Sequence, residues 1–129
     1  MLNIDLVEEE KHHPGIVRIY GSGSDGWAAL ERQFKSIACD GLESRICDPV
    51  SGVGINFRVS SVDEGFSRLS GAQFELALPQ EGFLEVADLV SSLASGENES
   101  YQWLRGGADA PKLGEHYSLL VSKSSQGIW

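Results

Sequence analysis

The chain has 129 residues with a hydrophobic content of 41%, which predicts one folded domain and argues against an intrinsically disordered chain. Its 19 acidic and 10 basic residues give a formal net charge of −9, which disfavours direct binding of nucleic acid and of anionic membranes. There is no run of about 18 apolar residues that would span a membrane. The acidic start MLNIDLVEEE does not resemble a signal peptide, so we expect a cytoplasmic protein.

The first two predicted elements are strands. Apolar and polar residues alternate over residues 2–7, and the apolar run IVRIY covers residues 16–20. The short link EEEKHHPG joins them, so we expect an antiparallel hairpin.

A helix is predicted next, in GWAALERQFKSIA. Trp27, Leu30, Phe34 and Ile37 recur at helical spacing, and Ser24 or Asp25 is positioned to cap the helix. The sequence CDG at residues 39–41 predicts its end.

Short strands separated by turns are predicted in the middle of the chain. They lie in ESRIC, VGINFRVSS, FSRL and AQFELAL, with turn signals in DPVSG and VDEG. A second helix is predicted in EGFLEVADLVSSLAS and a last strand in HYSLLVSK, whereas residues 96–114 are loop-like apart from YQWL. No internal repeat is visible.

These elements predict an α+β fold with one domain over residues 1–123 and a C-terminal tail over residues 124–129. Because strands joined by tight turns pair antiparallel, we expect a mainly antiparallel sheet with two helices packed on one face.

The stretch GSGSDG at residues 21–26 follows a strand and precedes a helix, as in a dinucleotide-binding turn. Asp48 lies at the distance where such a fold places the acid that binds ribose. However, the preceding strand is the second arm of a predicted hairpin, and Asp48 leads directly into another strand. We therefore interpret the glycines as a flexible entry to the first helix, with nucleotide or small-molecule binding at Gly21–Gly26 as the alternative.

The sequence contains no recognised catalytic motif and no metal-binding motif. Cys39 and Cys47 do not form a C-x-x-C pair and are expected to be reduced. Adjacent His12 and His13 on an extended chain point to opposite sides, which disfavours a shared metal site. We expect no enzymatic activity, no cofactor and no metal.

Acidic side chains near turns are the candidate partner contacts, together with one tryptophan in a polar, glycine-containing segment. If the turns gather at one end of the sheet, an acidic face would form and would favour a basic protein partner. Trp103 could serve as an interface anchor or lie under a loop. The candidate contacts are Glu8, Glu9, Glu10, Asp40, Glu43, Asp48, Asp63, Glu64 and Trp103.

The stretches VEEEKHHPG, CDGLESRICDP and SSVDEGF give the chain a general character that resembles the small, acidic α+β immunity proteins of bacteria, including those of contact-dependent growth inhibition. The resemblance implies a cognate toxin, commonly a nuclease, that is neutralised by tight one-to-one binding. A third hypothesis is a structural subunit of a larger assembly, with Trp103 and Trp129 at its interface.

Overall fold

The computed structural model describes residues 2–8, 15–21, 23–94, 101–105 and 117–123. Within these ranges the chain forms eight strands and two helices. In chain order they are β1 (Asn3–Val7), β2 (Gly15–Tyr20), α1 (Ser24–Asp40), β3 (Ser44–Cys47), β4 (Gly54–Val59), β5 (Gly65–Ser70), β6 (Gln73–Leu78), α2 (Gln80–Ala94), β7 (Tyr101–Arg105) and β8 (Tyr117–Ser122). No helix of these ranges is long and apolar enough to cross a membrane.

The strands form two four-stranded sheets, which we call sheet A (β1-β2-β8-β7) and sheet C (β3-β4-β6-β5). In each sheet the two outer pairs are antiparallel and the central pair, β2–β8 or β4–β6, is parallel. The predicted α+β class and the predicted hairpin β1–β2 are therefore confirmed. The two parallel pairs join strands that are distant in sequence, and nothing in the local pattern indicated them.

The strand order reveals a repeat of topology that the sequence does not show. The first unit is β1-β2-α1-β3-β4 and the second is β5-β6-α2-β7-β8, so each has the order ββαββ. Each sheet combines one hairpin from each unit, and the two hairpins meet at the parallel pair. The two units thus have the same topology, and each exchanges a hairpin with the other. Neither unit forms a complete sheet alone.

Both helices bury the apolar stripes that predicted them. In α1 the side chains of Trp27, Leu30, Phe34 and Ile37 are buried, and the helix ends at Gly41, whose positive φ of 69° suits glycine. The predicted cap residue is wrong: the N-cap is Gly23, which makes no side-chain cap hydrogen bond.

One hydrophobic core joins both sheets and both helices. At its centre Phe34 of α1 packs edge-on against Phe57 of β4, with ring centroids 4.9 Å apart. Phe83 of α2 lies 6.4 Å from Phe57. A second aromatic contact, between Phe74 of β6 and Tyr117 of β8 at 5.1 Å, joins sheet C to sheet A. The helices also pack against each other, so the core is shared between the two units.

Candidate functional site

Three chain connections meet at one end of sheet C. Strand β3 begins where β4 ends, and β5 begins where β6 ends, because both pairs are antiparallel. Since β4 and β6 are parallel, the connections α1–β3, β4–β5 and β6–α2 all lie at this end. We call this surface the acidic end and define it by residues 40–43, residues 61–64 and residues 80–84 at the start of α2.

Hydrogen bonds hold the three connections together. The side-chain amide of Gln80, at the start of α2, donates to the carbonyl of Ala38 near the end of α1, at 2.9 Å. The backbone N–H of Ser60, after β4, donates to the carbonyl of Leu78 at the end of β6, also at 2.9 Å. The acidic end is therefore assembled by the fold from segments that are far apart in sequence.

The acidic end exposes three large apolar side chains. Leu42 is 66% exposed, Val62 is 61% exposed and Leu84 is 47% exposed, one on each of the three segments. Single exposed apolar residues are normal, but apolar residues grouped among charged ones are typical of a protein interface. The sequence analysis did not select these residues, although Leu42 lies between Asp40 and Glu43 and Val62 begins the predicted turn VDEG.

The carboxylates of the acidic end fall into two groups. Among the described residues, Asp40, Glu43 and Glu81 make no ion pair and are exposed. Asp63 and Glu64 are also exposed, but each pairs with an arginine. Three carboxylates thus have their negative charge open to an incoming cation.

The two paired carboxylates of the acidic end bind arginines of other elements. Asp63 accepts from Arg105 of β7 at 2.9 Å, and this bond links the connection β4–β5 to sheet A. Glu64 accepts from the Ser60 hydroxyl and, at 3.2 Å, from Arg58. The Ser60 hydrogen bond and then the Arg58 guanidinium lower the pKa of Glu64 from its ordinary value. Glu64 is therefore ionised at neutral pH, and its charge is partly balanced by Arg58.

Glu8 belongs to a different set of contacts. It follows β1 and pairs with Arg68 of β5 at 3.2 Å. It also accepts from the Tyr117 hydroxyl at 3.2 Å, and Arg68 donates to the same hydroxyl at 2.7 Å. Glu8 thus helps to join the two sheets. Glu9 and Glu10, which the sequence placed beside it, lie outside the described residues, as do His12 and His13.

Asp48, a candidate partner contact in the sequence, is buried in the structure. Asp48 is only 6% exposed. Its carboxylate accepts the backbone N–H of Ile4 at 2.9 Å and that of Val50 at 2.8 Å. The Ile4 hydrogen bond, followed by that of Val50, lowers the pKa of Asp48 from its ordinary value. Both oxygens are thus used within the chain, and the residue serves the fold.

Two glycines of the segment from the end of β2 into the first turn of α1, Gly21 and Gly26, have structural roles. The carbonyl of Gly21 accepts the indole N–H of Trp27 at 2.9 Å. At Gly26 a β-carbon would lie 3.0 Å from Cγ of Leu2, so the turn allows close approach of the chain before β1. The strand after α1, β3, pairs with β4 and not with β2. A dinucleotide-binding unit requires that parallel neighbour, so the interpretation of the motif as a mimic agrees with the topology.

Trp103 lies on β7, opposite Leu120 of β8. Its neighbour Leu104 points into the core, so Trp103 occupies the other face of sheet A, where it is half-buried. Arg18 of β2 lies on the same face, because it too is opposite Leu120. It is buried and pairs with Asp5 at 2.6 Å. Trp103 is therefore outside the core and apart from the three segments of the acidic end. Trp129 and the tail 124–129 lie outside the described residues.

Nothing in the described part of the chain forms a metal centre, since no three His, Cys, Asp or Glu side chains there are placed to hold an ion. Cys39 and Cys47 are both exposed and free. The chain matches no protein-family model and no curated protein.

Proposed function

We propose that this protein is a protein-binding module that holds a basic partner against the acidic end. The observation that carries the proposal is the presence of Leu42, Val62 and Leu84 among unpaired carboxylates, on three segments that the fold brings together. The character that the chain shares with immunity proteins suggests the class of partner, a bacterial toxin. The module acts in the cytoplasm and neutralises the toxin by binding, without catalysis.

The two kinds of side chain at the acidic end have different effects on binding. The apolar groups stabilise the complex when they leave water, at about 25 cal/mol per Å² of buried apolar surface. The carboxylates of Asp40, Glu43 and Glu81 attract cations, which raises the rate of association and disfavours acidic partners. Together they form the arrangement expected at an interface, in which apolar contacts are surrounded by charged ones.

A nuclease toxin fits this surface by charge. Any protein that binds nucleic acid presents lysine and arginine side chains to the phosphates. A surface with a net negative charge can pair with those same side chains and so block access to the nucleic acid. The overall charge of −9 supports attraction over a distance of about one Debye length, roughly 8–10 Å at physiological salt.

The test compares two variants with the same change of net charge. Glu43→Lys/Glu81→Lys reverses two carboxylates of the acidic end, whereas Asp25→Lys/Asp88→Lys reverses two exposed carboxylates on α1 and α2 outside it. Each protein serves as bait in the native lysate, and captured proteins are identified and then measured by titration. We expect one basic protein on the unmodified bait, a weakening of at least about tenfold in the first variant, and little change in the second.

A third variant tests the apolar contribution. Val62→Asp adds a charge where an apolar contact is expected, and its effect on affinity should exceed that of the control pair. Equal weakening by both charge pairs would show that only the overall charge matters, and the acidic end would be rejected as the site. If no basic protein is captured, or if the captured protein shows no toxicity that the bait relieves on co-expression, the proposed function is wrong.

A further inference from the structure

Strand β3 is an open edge of sheet C. The order of that sheet places β3 at one side, paired only with β4. One edge of sheet A, strand β1, differs, because Asp48 and Ser51 bind the backbone of Ile4 on its outer side. The other hydrogen bonds of β3 within the described residues are made by side chains: Gln33 donates to the Ser44 hydroxyl, and Arg45 donates to Gln73. In the part of the chain that the structure describes, no hydrogen bond is made to the outer backbone groups of β3, so these groups are available for pairing there.

The register of sheet C identifies which peptide groups point outward. The N–H of Gly54 donates to Ala72, on the side away from β3. Gly54 is opposite Cys47, so these two residues do not exchange hydrogen bonds. The bond from Asp48 N–H to the Val53 carbonyl, one residue away, confirms this alternation. It follows that Arg45 and Cys47 direct their N–H and C=O groups outward, whereas Ser44 and Ile46 bind β4.

A second copy of this chain fits the edge by charge. Two copies of β3 can pair antiparallel about a two-fold axis only if outward-facing residues oppose each other. With the axis at Arg45, two arginines would oppose each other, which is unfavourable. With the axis at Ser44, pairing extends β3 by one residue, so Glu43 opposes Arg45 of the other copy and opposite charges meet twice. Charge thus favours the second register over the first.

The same register covers an exposed apolar side chain. On the other face of the new pair, Leu42 of one copy opposes Ile46 of the other. Leu42 is largely exposed in the single chain, and Ile46 is half-buried against the core. Cross-strand contact between them removes apolar surface from water. Leu42, which is exposed in the single chain, would thus contact Ile46 of the other copy.

We propose that this protein forms a two-fold symmetric dimer through antiparallel pairing of β3 with β3, in the register that sets Glu43 against Arg45 of the other copy. Sheet C then continues across the axis as one sheet. The pairing segment is short, and both copies carry a net charge of −9, so the dimer dissociates on dilution. The inference does not rest on the proposed toxin binding, although the dimer covers Leu42 and Glu43 and would compete with any partner at those residues.

The test measures molar mass by sedimentation over a series of protein concentrations. The unmodified protein should pass from monomer to dimer. Glu43→Arg and Arg45→Glu each place like charges in opposition, so each should weaken the dimer by about tenfold or more, and the double variant should restore it. The double variant keeps the same residue types at this edge and exchanges only the positions of the glutamate and the arginine.

A backbone variant tests the hydrogen bonds separately. Arg45→Pro removes an N–H that points away from β4, and it is compared with Arg45→Ala, which keeps that N–H. We expect Arg45→Pro to be monomeric and Arg45→Ala to retain weak dimerisation. Circular dichroism and the thermal midpoint identify any loss of folding, in which case the charge exchange decides alone.

A monomer at every concentration would overturn the proposal, and so would a dimer that the charge exchange does not affect. If the unmodified protein is monomeric and Arg45→Pro weakens capture of a foreign protein, the edge pairs with that protein instead and the homodimer is rejected. Loss of capture in Glu43→Lys/Glu81→Lys, in a protein that stays monomeric at every concentration, would support the proposed function and reject the dimer. A dimer that the charge exchange restores, with no basic protein captured, would do the reverse.

Discussion

The carboxylate of Asp48 accepts the backbone N–H of Ile4 at 2.9 Å, across 44 positions of sequence. The hydroxyl of Ser51 donates to the carbonyl of the same Ile4 at 2.6 Å. The turn between β3 and β4, in sheet C, thus binds both backbone groups that Ile4 of β1 directs away from β2, in sheet A. This contact holds the two sheets together.

Replacement of Asp48 should therefore reduce stability although the residue is polar. Asp48→Ala leaves the buried N–H of Ile4 without its acceptor, and we expect a loss of about 1–3 kcal/mol in the free energy of unfolding. Urea denaturation at pH 7 measures it. Ser51→Ala, which removes the second bond to Ile4 from a more exposed side chain, should cost less. Equal stability of Asp48→Ala and the unmodified protein would contradict the role assigned to this carboxylate.

The contribution of Asp48 should depend on pH. Because the N–H groups of Ile4 and Val50 lower its pKa in the folded chain, the folded state favours the ionised form. That stabilisation is complete above the unfolded pKa of about 3.9 and is lost as the pH falls through the lower folded value. The stability difference between the unmodified protein and Asp48→Asn should thus shrink below about pH 4. A difference that stays constant from pH 7 to pH 3 would exclude this linkage.

Gly26 and Leu2 should be energetically coupled. A β-carbon at position 26 would lie 3.0 Å from Leu2 Cγ, so Gly26→Ala crowds that side chain. Alanine is favoured over glycine inside a helix by about 1 kcal/mol. We expect Gly26→Ala to be neutral or destabilising alone, but stabilising by about 1 kcal/mol in a Leu2→Ala background. A double-mutant cycle measures the coupling, and purely additive effects would show that the two residues do not crowd.

The hydroxyl of Tyr117 should contribute to the junction between the sheets. It accepts from Arg68 at 2.7 Å and donates to Glu8 at 3.2 Å. Tyr117→Phe removes both bonds and keeps the aromatic contact with Phe74, so we expect a loss of about 1 kcal/mol. Tyr101→Phe, at an exposed position, is the matched control and should change stability little. A similar effect of both substitutions would argue against a specific role for the Tyr117 hydroxyl.

Because each sheet contains one hairpin from each unit, we expect the two ββαββ units to fold only together. Residues 1–61 and 62–129 made as separate chains should each be largely unfolded, because each hairpin lacks its parallel neighbour and each helix lacks its partner. Mixed in equal amounts, they should recover the circular dichroism of the intact chain. Independent folding of either fragment, or failure of the mixture to fold, would show that the units do not complete each other in this way.

Local patterns predicted most of the elements but not their assembly. The stripe Trp27, Leu30, Phe34 and Ile37 identified α1 because side chains at helical spacing share one face. The alternation around Ile55 and Phe57 identified β4 in the same way. Strand β7 was not predicted, because YQWL is short and stands between polar segments. The burial of Asp48 was not indicated by the sequence, because it depends on contact with Ile4, which only the folded chain provides.

Amino-acid order alone determined the class of the protein, its helices, its hairpins and its acidic character, because periodicity, turn residues and charge act over a few neighbouring positions. Tertiary structure decided the division into two sheets, the parallel pairs that join the units, the burial of Asp48, and the gathering of Leu42, Val62 and Leu84 among acidic residues. The parallel pairs and the contacts of Asp48 and the acidic end link segments far apart in the chain. Their geometry is set by the shared core and by edge pairing, which no short stretch of sequence encodes by itself.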